Sequence, residues 1–560
     1  MPRWLTVKAL SAAGLVALSL PVCVSLFTTR LPQGHDALEY LRRQVEFHEN
    51  ISHGILLPRW APDLSRGNGQ PLFLFNPPLF YYLGEAWHLL GFDFVTAMNL
   101  ACIVIVLASA CSMFLLGRLY CGDAGGWLAA AAYLYAPYFS VNLYVRSAMA
   151  EFAAFPFFAL ALFGLGSGRL VVGAIGYAGV LFSHPPAAVV FTPLLVAFLC
   201  FTAWMAKSCA VLRAQIWGFL LGLGLAACVW LPGLAERQYA SLDRLLVGYP
   251  YSDHFVYLRQ LFYSPWGYGP STAGYSDGMS FALGGSHLLL AFLAWLVGQR
   301  RDRPLLGFFA GAAICLCFLM LPAAAWLWDH LPLLQYVCLP WRLLGPVAAC
   351  LALLVASLGI FFSRLPRWRR TCFCGALALL IVPNLRHLKP KQFLNVDLAL
   401  WTPAQIAARG TEARDDRVYE PRWMEVLPKY QPQRAAFVSG NGEVLPGERN
   451  PVRWSGSVQA QTPSVLEMSI VYFPGWQVWM DGQEIRVQRA PQTGLLRFAI
   501  PAGDHHVEVH FTRTAPRWIG EGISVLSLVL LLTLVLRNRH VPAKTGFVRG
   551  PGVGAFGASG

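Results

Sequence analysis

Ionisable side chains are scarce in this sequence, and several of them stand beside long apolar runs, where each needs a physical reason. His35 and Asp36 are adjacent, Arg146 and Glu151 are five apart, His184 precedes Pro185-Pro186, and Arg342 follows Pro340-Trp341. A carboxylate such as Asp36 can act as general base toward a hydroxyl. Arg146 and Arg342 can each grip a phosphate bidentately. An acid, two arginines and a histidine form the set that transfer from a phosphate leaving group requires. Each also has a plainer reading. Asp36 can be a helix cap or a solvated loop acid, and Arg146 and Glu151 a mutual pair at an interface. His184 can be an interfacial turn residue, and Arg342 can snorkel beside Trp341. A spacing of five is poor for one helix face, so the sequence does not dictate a local Arg146–Glu151 pair.

The elements that must position these residues are hydrophobic. Of the 560 residues, 56% are hydrophobic and 13% charged, whereas a soluble domain carries about 25% charge. The deficit fits a chain solvated by lipid over much of its surface. Aromatics reach 13%, as interfacial belts require. The first apolar run, residues 9–27, follows Arg3 and Lys8 and has no small-x-small cleavage site after it, so it reads as a signal anchor. Further runs begin near Phe94, Gly126, Phe152, Leu170, Ala187, Ile216, Leu283, Leu305, Leu343, Cys374 and Ile519, which predicts about twelve spans.

The formal net charge of +14 sits largely in short links. With a cytoplasmic N-terminus, alternate links carry Arg118, Arg169, Lys207 with Arg213, Arg300 to Arg303, Arg364 to Arg370, and Arg537 with Arg539, all on one side. The long segments 28–93, 233–282 and 384–518 fall on the other. Both termini are then expected in the cytoplasm, and the residues named above at the outer face. No basic stripe with interleaved aromatics appears, which argues against nucleic acid as a partner. Most of the 13 Cys lie in apolar runs and none lies in 389–518, which excludes a disulfide framework there. Cys372-Phe-Cys374 has no second ligand pair and reads as membrane packing.

The first long segment is turn-rich and aromatic: Pro58-Arg59-Trp60-Ala61-Pro62, Gly67-Asn68-Gly69-Gln70-Pro71, Phe75-Asn76-Pro77-Pro78 and Tyr81-Tyr82. Loops of this length are usually functional; the alternative is a membrane-surface lid. Near the C-terminus the pattern alternates over 464–473, runs to Asp481-Gly482, a hairpin signal, and continues through 484–488, 495–500, the Pro501-Ala-Gly503 turn and 506–511. Short strands at this spacing predict a small antiparallel sandwich.

Gly34-His35-Asp36, residues 54–60, Gly67 to Pro71 and residues 77–82 resemble the first outer loop of a bacterial membrane family known as the 6-pyruvoyl-tetrahydropterin-synthase-related membrane domain, a name that implies no pterin chemistry. Arg146 to Glu151, His184 and Pro340-Trp341-Arg342 look like its later motifs. Tyr472 to Trp476, with Asp481-Gly482 and Pro501 to Gly503, is similar to the C-terminal β domain of YfhO-type proteins. Both groups look like relatives of the GT-C glycosyltransferases, which use a polyprenyl-phosphate-linked sugar and an acid in the first outer loop. The resemblance implies Asp36 as catalytic base or, in metal-using members, as a metal ligand. Typical members carry two adjacent acids, and His35-Asp36 departs from that, so no metal or other cofactor is expected.

The expected fold is a polytopic α-helical, GT-C-like membrane domain over 1–387. An extracytoplasmic soluble domain over 388–516 follows, β-rich from about 451, then a last span over 517–537 and a disordered cytoplasmic tail over 538–560. The expected function is transfer of a sugar from a polyprenyl-phosphate donor to a glycan or lipid acceptor at a bacterial inner membrane. Asp36 would be catalytic. His35, Arg146, Glu151, His184 and Arg342 would bind substrate or phosphate, and Trp60 and Tyr81 would shape the sugar site. Two rival readings remain open: a lipid-linked sugar transporter, which predicts broken helices near the midplane, and a non-catalytic scaffold for envelope-polymer assembly.

Overall fold

The computed structural model describes residues 3–365, 367–409 and 416–538. The expected tail therefore lies almost wholly outside the described residues. Five helices among those described are long and apolar enough to cross a membrane: Phe94–Leu134, Met149–Gly166, Pro185–Ala206, Pro340–Phe362 and Ala515–Arg537. Such uncharged runs become helices because lipid offers no partner to a backbone N–H or C=O, and a helix satisfies both internally. Their surroundings differ. The apolar stretch of Pro340–Phe362 is 94% buried by its neighbours, whereas that of Ala515–Arg537 is 11% buried. Leu526, Val529, Leu532 and Leu536 project from the latter into the surroundings. A face of that composition is stable only against hydrocarbon, so the chain reads as a membrane protein.

Two further pairs qualify if each bent pair is one span: Cys209–Leu225 with Ala227–Tyr239, bent by 67°, and Arg303–Leu319 with Pro322–His330, bent by 85°. That gives up to seven such elements among the described residues by length and composition, against about twelve apolar runs in the sequence. Part of the difference is length, since Leu170–Ser183 has 14 residues and Gly285–Val297 has 13, below the ~20 that a bilayer core requires. Part is counting, because the runs starting at Phe94 and Gly126 stand in one element of 41 residues that holds two helical arms. That element folds back on itself at Gly122 (φ 72°, ψ −176°). Phe114 meets Trp127 across the fold at 5.1 Å between ring centroids. Small residues allow similar closeness elsewhere: a Cβ on Gly164 would lie 2.1 Å from the Gly173 nitrogen. Met149–Gly166 and Leu170–Ser183 thus pack backbone against backbone.

Residues 28–93 are not a loose lid. Helix Ala37–Ser52 packs on Leu79–His88 through a cluster in which Phe47 meets Phe73 at 5.4 Å and Tyr81 at 5.7 Å. A short antiparallel pair, β1 (Leu31–Pro32) with β2 (Phe393–Leu394), ties the start of this segment to the chain beyond the helices.

The C-terminal region is the expected antiparallel sandwich, with strand pairing that begins at Ala435, earlier than 451. Its strands are β3 (Ala435–Ser439), β4 (Gly442–Asn450), β5 (Arg453–Ala460), β6 (Ser464–Val471), β7 (Trp476–Met480), β8 (Gln483–Ile485), β9 (Gln488–Arg489), β10 (Leu495–Ile500) and β11 (Gly503–Phe511). One sheet has the order β3-β6-β10-β9 and the other β4-β5-β11-β7-β8. Alternation sets the faces: Val507 and Val509 are buried while Glu508 and His510 point outward. Trp60 seats this domain on residues 28–93, lying 5.3 Å from Trp476 and 5.2 Å from Phe511. The buried Arg517–Glu236 pair, 2.7 Å apart, joins the base of the last helix to the end of Ala227–Glu236.

Candidate active site

A cavity of about 730 Å³ opens where the helical body, residues 28–93 and the loop around Tyr419 meet. His35, Asp36, Arg146, His184 and Arg342 all line it, although they come from four widely separated parts of the chain. Local backbone bonds explain how they converge. The His35 N–H donates to the Val145 carbonyl at 3.0 Å, and the Asp36 N–H donates to the Arg146 carbonyl at 2.9 Å. This places Asp36 at the start of helix Ala37–Ser52 and against the turn that carries Arg146. A Cβ on Gly34 would lie 2.1 Å from Ser147 Oγ, so the clamp closes only with glycine there.

Arg146 ends a π-helical turn, Val141–Arg146, and Ser147 follows in the left-handed conformation with φ 52°. This reversal brings Arg146 Nη1 to 2.8 Å from Glu151 Oε2, so two residues five apart do pair. Glu151 is itself buried behind the cavity wall and is fully engaged. Its Oε1 accepts from Tyr138 Oη at 2.5 Å and Asn142 Nδ2 at 2.9 Å, while its Oε2 also lies 3.2 Å from Arg342 Nε. A carboxylate with four such partners cannot serve as a base. Its part is to hold two guanidiniums side by side at the wall. Arg342 Nη1 donates to the Val337 carbonyl at 2.7 Å, and the Arg146 guanidinium stands 4.4 Å over the Trp341 ring. Both cations are thus fixed, and the pair exceeds the charge of Glu151 by one.

His184 caps helix Pro185–Ala206, with Nδ1 accepting from the Ala187 N–H at 3.2 Å. In the neutral ring this leaves the proton on Nε2, available as a donor in the cavity. His35 Nε2 donates to the Tyr268 carbonyl at 3.2 Å.

The opposite wall was not anticipated. Glu39, Tyr40 and Arg43 also line the cavity, with Arg43 Nε 3.1 Å from Glu39 Oε1 and its guanidinium 5.7 Å from the rings of both Tyr40 and Tyr419. Positions 36, 39, 40 and 43 form one helix stripe, so the helical period counted from Asp36 carries this signal. His254 on the same rim donates to or accepts from Ser271 Oγ at 3.0 Å, and burial pushes its imidazole below the usual range.

Trp60 and Tyr81, expected at a sugar site, do not line the cavity. Trp60 is 2% exposed beneath the β domain, and Tyr81 is fully buried in the Phe47 cluster. Both aromatics were spent on packing, since large rings in a turn-rich segment supply its core. Apart from Asn76, Arg237, His254 and Ser271, most of the cavity's remaining lining is apolar, and two of its residues, Leu234 and Leu333, stand exposed at 51% and 56%. Among the described residues no group of three or more His, Cys, Asp or Glu is placed to hold a metal ion.

No protein-family profile and no curated protein matches the chain. Solved structures do. The chain is similar to the arabinofuranosyltransferase AftD from mycobacteria, with 16% identity over 72% of this chain and a TM-score of 0.43. It spans 28% of AftD's length, under a third. It is also similar to ArnT from Cupriavidus metallidurans, solved bound to undecaprenyl phosphate, with 13% identity over 70% of this chain and 76% of that one and a TM-score of 0.38.

Proposed function

We propose that the protein is a GT-C-type glycosyltransferase that moves a sugar from a polyprenyl-phosphate donor to an extracytoplasmic hydroxyl acceptor at the outer face of a bacterial inner membrane. The observation that carries this reading is the cavity itself. It sets the Asp36 carboxylate in the same space as a guanidinium pair held by Glu151, while the second acid of the lining, Glu39, is paired with Arg43, and it continues into an apolar rim where Leu234 and Leu333 are exposed. Those are the three surfaces such a reaction needs. A base takes the acceptor proton, cations receive the phosphate, and an apolar edge admits the lipid chain.

In the reaction Asp36 takes the proton from the acceptor hydroxyl as its oxygen attacks the anomeric carbon. The bond from that carbon to the phosphate oxygen breaks, and its electron pair leaves with the polyprenyl phosphate. The phosphate gains a negative charge in this step. Arg146, Arg342 and the Nε2–H of His184 stabilise that gain, and because their positions are fixed beforehand they need not reorganise as it develops. A single displacement of this kind inverts the anomeric centre.

The test is transfer of radiolabelled sugar from a panel of polyprenyl-phosphate sugars in proteoliposomes, comparing the parent chain with Asp36→Asn. Label leaves the lipid with the parent and stays on it with the variant. Full transfer by Asp36→Asn overturns the mechanism, and no transfer from any donor by folded protein overturns the enzyme reading.

One observation favours a transporter instead: the bent pair at Ala227–Tyr239 borders the cavity through Trp230 and Gly233, as a broken helix beside a binding site would. Movement of labelled lipid across the bilayer without loss of its sugar would select that reading.

A further inference from the structure

A second, smaller cavity of about 330 Å³ lies at the seam between residues 28–93, helix Pro403–Arg409 and the β domain. The two cavities adjoin different stretches of helix Ala37–Ser52. Asp36 at one end of that helix lines the large cavity, and Glu49 near the other end lines the small one. Thirteen residues of helix span roughly 20 Å at about 1.5 Å per residue.

The small cavity is built rather than accidental. Asp63, 3% exposed, accepts from Arg449 Nη2 at 3.3 Å and lies 3.8 Å from Arg434 Nη2. Arg434 Nη1 donates to the Ser469 carbonyl at 2.8 Å and to the Gly67 carbonyl at 2.5 Å. Its position is therefore fixed from both sides of the seam. Gly67 has φ 75°, and a Cβ there would press on Ala407 at 3.1 Å and on the Tyr430 ring at 3.3 Å. The walls thus close onto bare backbone. Pro62, Pro403, Pro432 and Pro451 supply rigid edges, which lower the ordering cost of binding.

The chemistry of the lining selects a ligand class. Two arginines face two carboxylates, Asp63 and Glu49, so the formal charge balances and an anion finds no excess cation. Asn450 and Gln431 add amides that both donate and accept, and Tyr430 offers a partly exposed ring. Mixed donors and acceptors around one aromatic face, with no net charge, match a neutral polyhydroxylated ligand. The volume lies at the lower end of ligand pockets, about 300–1,000 Å³, which suits a short stretch of glycan.

We propose that this seam pocket is a binding site for a neutral glycan segment. Where the transferase reading holds, and only on that reading, the segment belongs to the acceptor, held roughly 20 Å from Asp36 while its growing end reaches the large cavity.

The experiment uses the full-length protein in nanodiscs and saturation-transfer NMR with neutral trisaccharides of glucose, mannose, galactose and arabinose. A uronate trisaccharide and inorganic phosphate serve as anionic probes. Two variants alter the pocket from its exposed side without touching its arginines: Tyr430→Ala removes the ring, and Ala404→Trp fills the space. Saturation transfer to a neutral trisaccharide is expected, at least tenfold weaker in both variants and unchanged in Asp36→Asn. No transfer to any neutral trisaccharide, equal transfer with Ala404→Trp, or preference for uronate or phosphate overturns the proposal. Binding is read without catalysis, so failure of the transferase reading leaves this result intact. If transfer is found, Ala404→Trp should raise the KM for a glycan acceptor about tenfold at unchanged kcat.

Discussion

Glu151 holds Arg342 in place: its Oε2 lies 3.2 Å from Arg342 Nε, and the same oxygen binds Arg146 at 2.8 Å. One buried carboxylate therefore fixes the spacing of both guanidiniums. Replacing it by glutamine keeps its shape but leaves two cations without their shared anion. Breaking a buried ion pair from one side costs about 3–5 kcal/mol, so Glu151→Gln is expected to lower the thermal unfolding midpoint. As a positioning residue it should also change phosphate recognition. The expected kinetic signature is a rise in donor KM together with a fall in kcat, partly restored in Glu151→Asp, which keeps the charge. Unchanged kinetics alongside reduced stability would mean that the pair only supports the bundle.

Arg342 faces the cavity more openly than Arg146, with 19% of its side chain exposed against 5%. It is thus the better probe of the charge that develops on the leaving phosphate. Removing one preorganised donor from such a site typically costs about 10²–10³ in kcat. Arg342→Ala should show a loss of that order. Arg342→Lys should recover only part, because an ammonium keeps the charge but cannot present two parallel donors. Equal kcat in the Lys and Ala variants would show that charge at this position does not act on the transition state.

Much of this arrangement was legible in the residues. Apolar runs dictated the helices, and alternation with Asp481-Gly482 dictated the sandwich, where Asp481 and Gly482 both take positive φ at the β7–β8 turn. The ionisable residues beside apolar runs, Asp36, Arg146, His184 and Arg342, were singled out by cost alone, and they share one cavity. What sequence spacing could not show is the left-handed Ser147, because a serine at positive φ carries no signal in its type, and without it Arg146 and Glu151 point apart. Residue type likewise cannot tell a core aromatic from a cavity aromatic, which is why Trp60 and Tyr81 were misplaced. Arg43 was within reach, since it lies two helical turns from Asp36 on the same stripe.

The position of Trp60 yields a direct check of that correction. Its ring is wedged between Trp476 and Phe511, and a Cβ on Gly69 would lie 2.4 Å from the indole nitrogen. Trp60→Ala should cost about 3–5 kcal/mol and free the β domain from its seat, seen as faster proteolysis near residues 435–511. At a sugar site the same change would raise the substrate KM and leave proteolysis unaltered.

Glu46 gives the seam a pH dependence. It lies on helix Ala37–Ser52, where its Oε2 accepts from the Asp63 N–H at 3.1 Å. Burial, and then the charge of Asp63, raises its carboxyl well above the ordinary 4.5. The folded protein therefore binds a proton that the unfolded chain releases near pH 4.5. By linkage, the stabilising effect is full below that pH and is lost as pH rises through the folded-state value. Glu49 and Arg42 on the same helix face Glu46 as well, and Arg434 approaches from the β-domain side. The seam should accordingly loosen as pH climbs from about 5 toward the point where Glu46 ionises. Hydrogen exchange of residues 59–70 at a series of pH values, corrected for the intrinsic rate, measures this. Glu46→Gln cannot ionise and should flatten the profile. A parent profile that is already flat, or one that tightens with rising pH, would place the proton elsewhere.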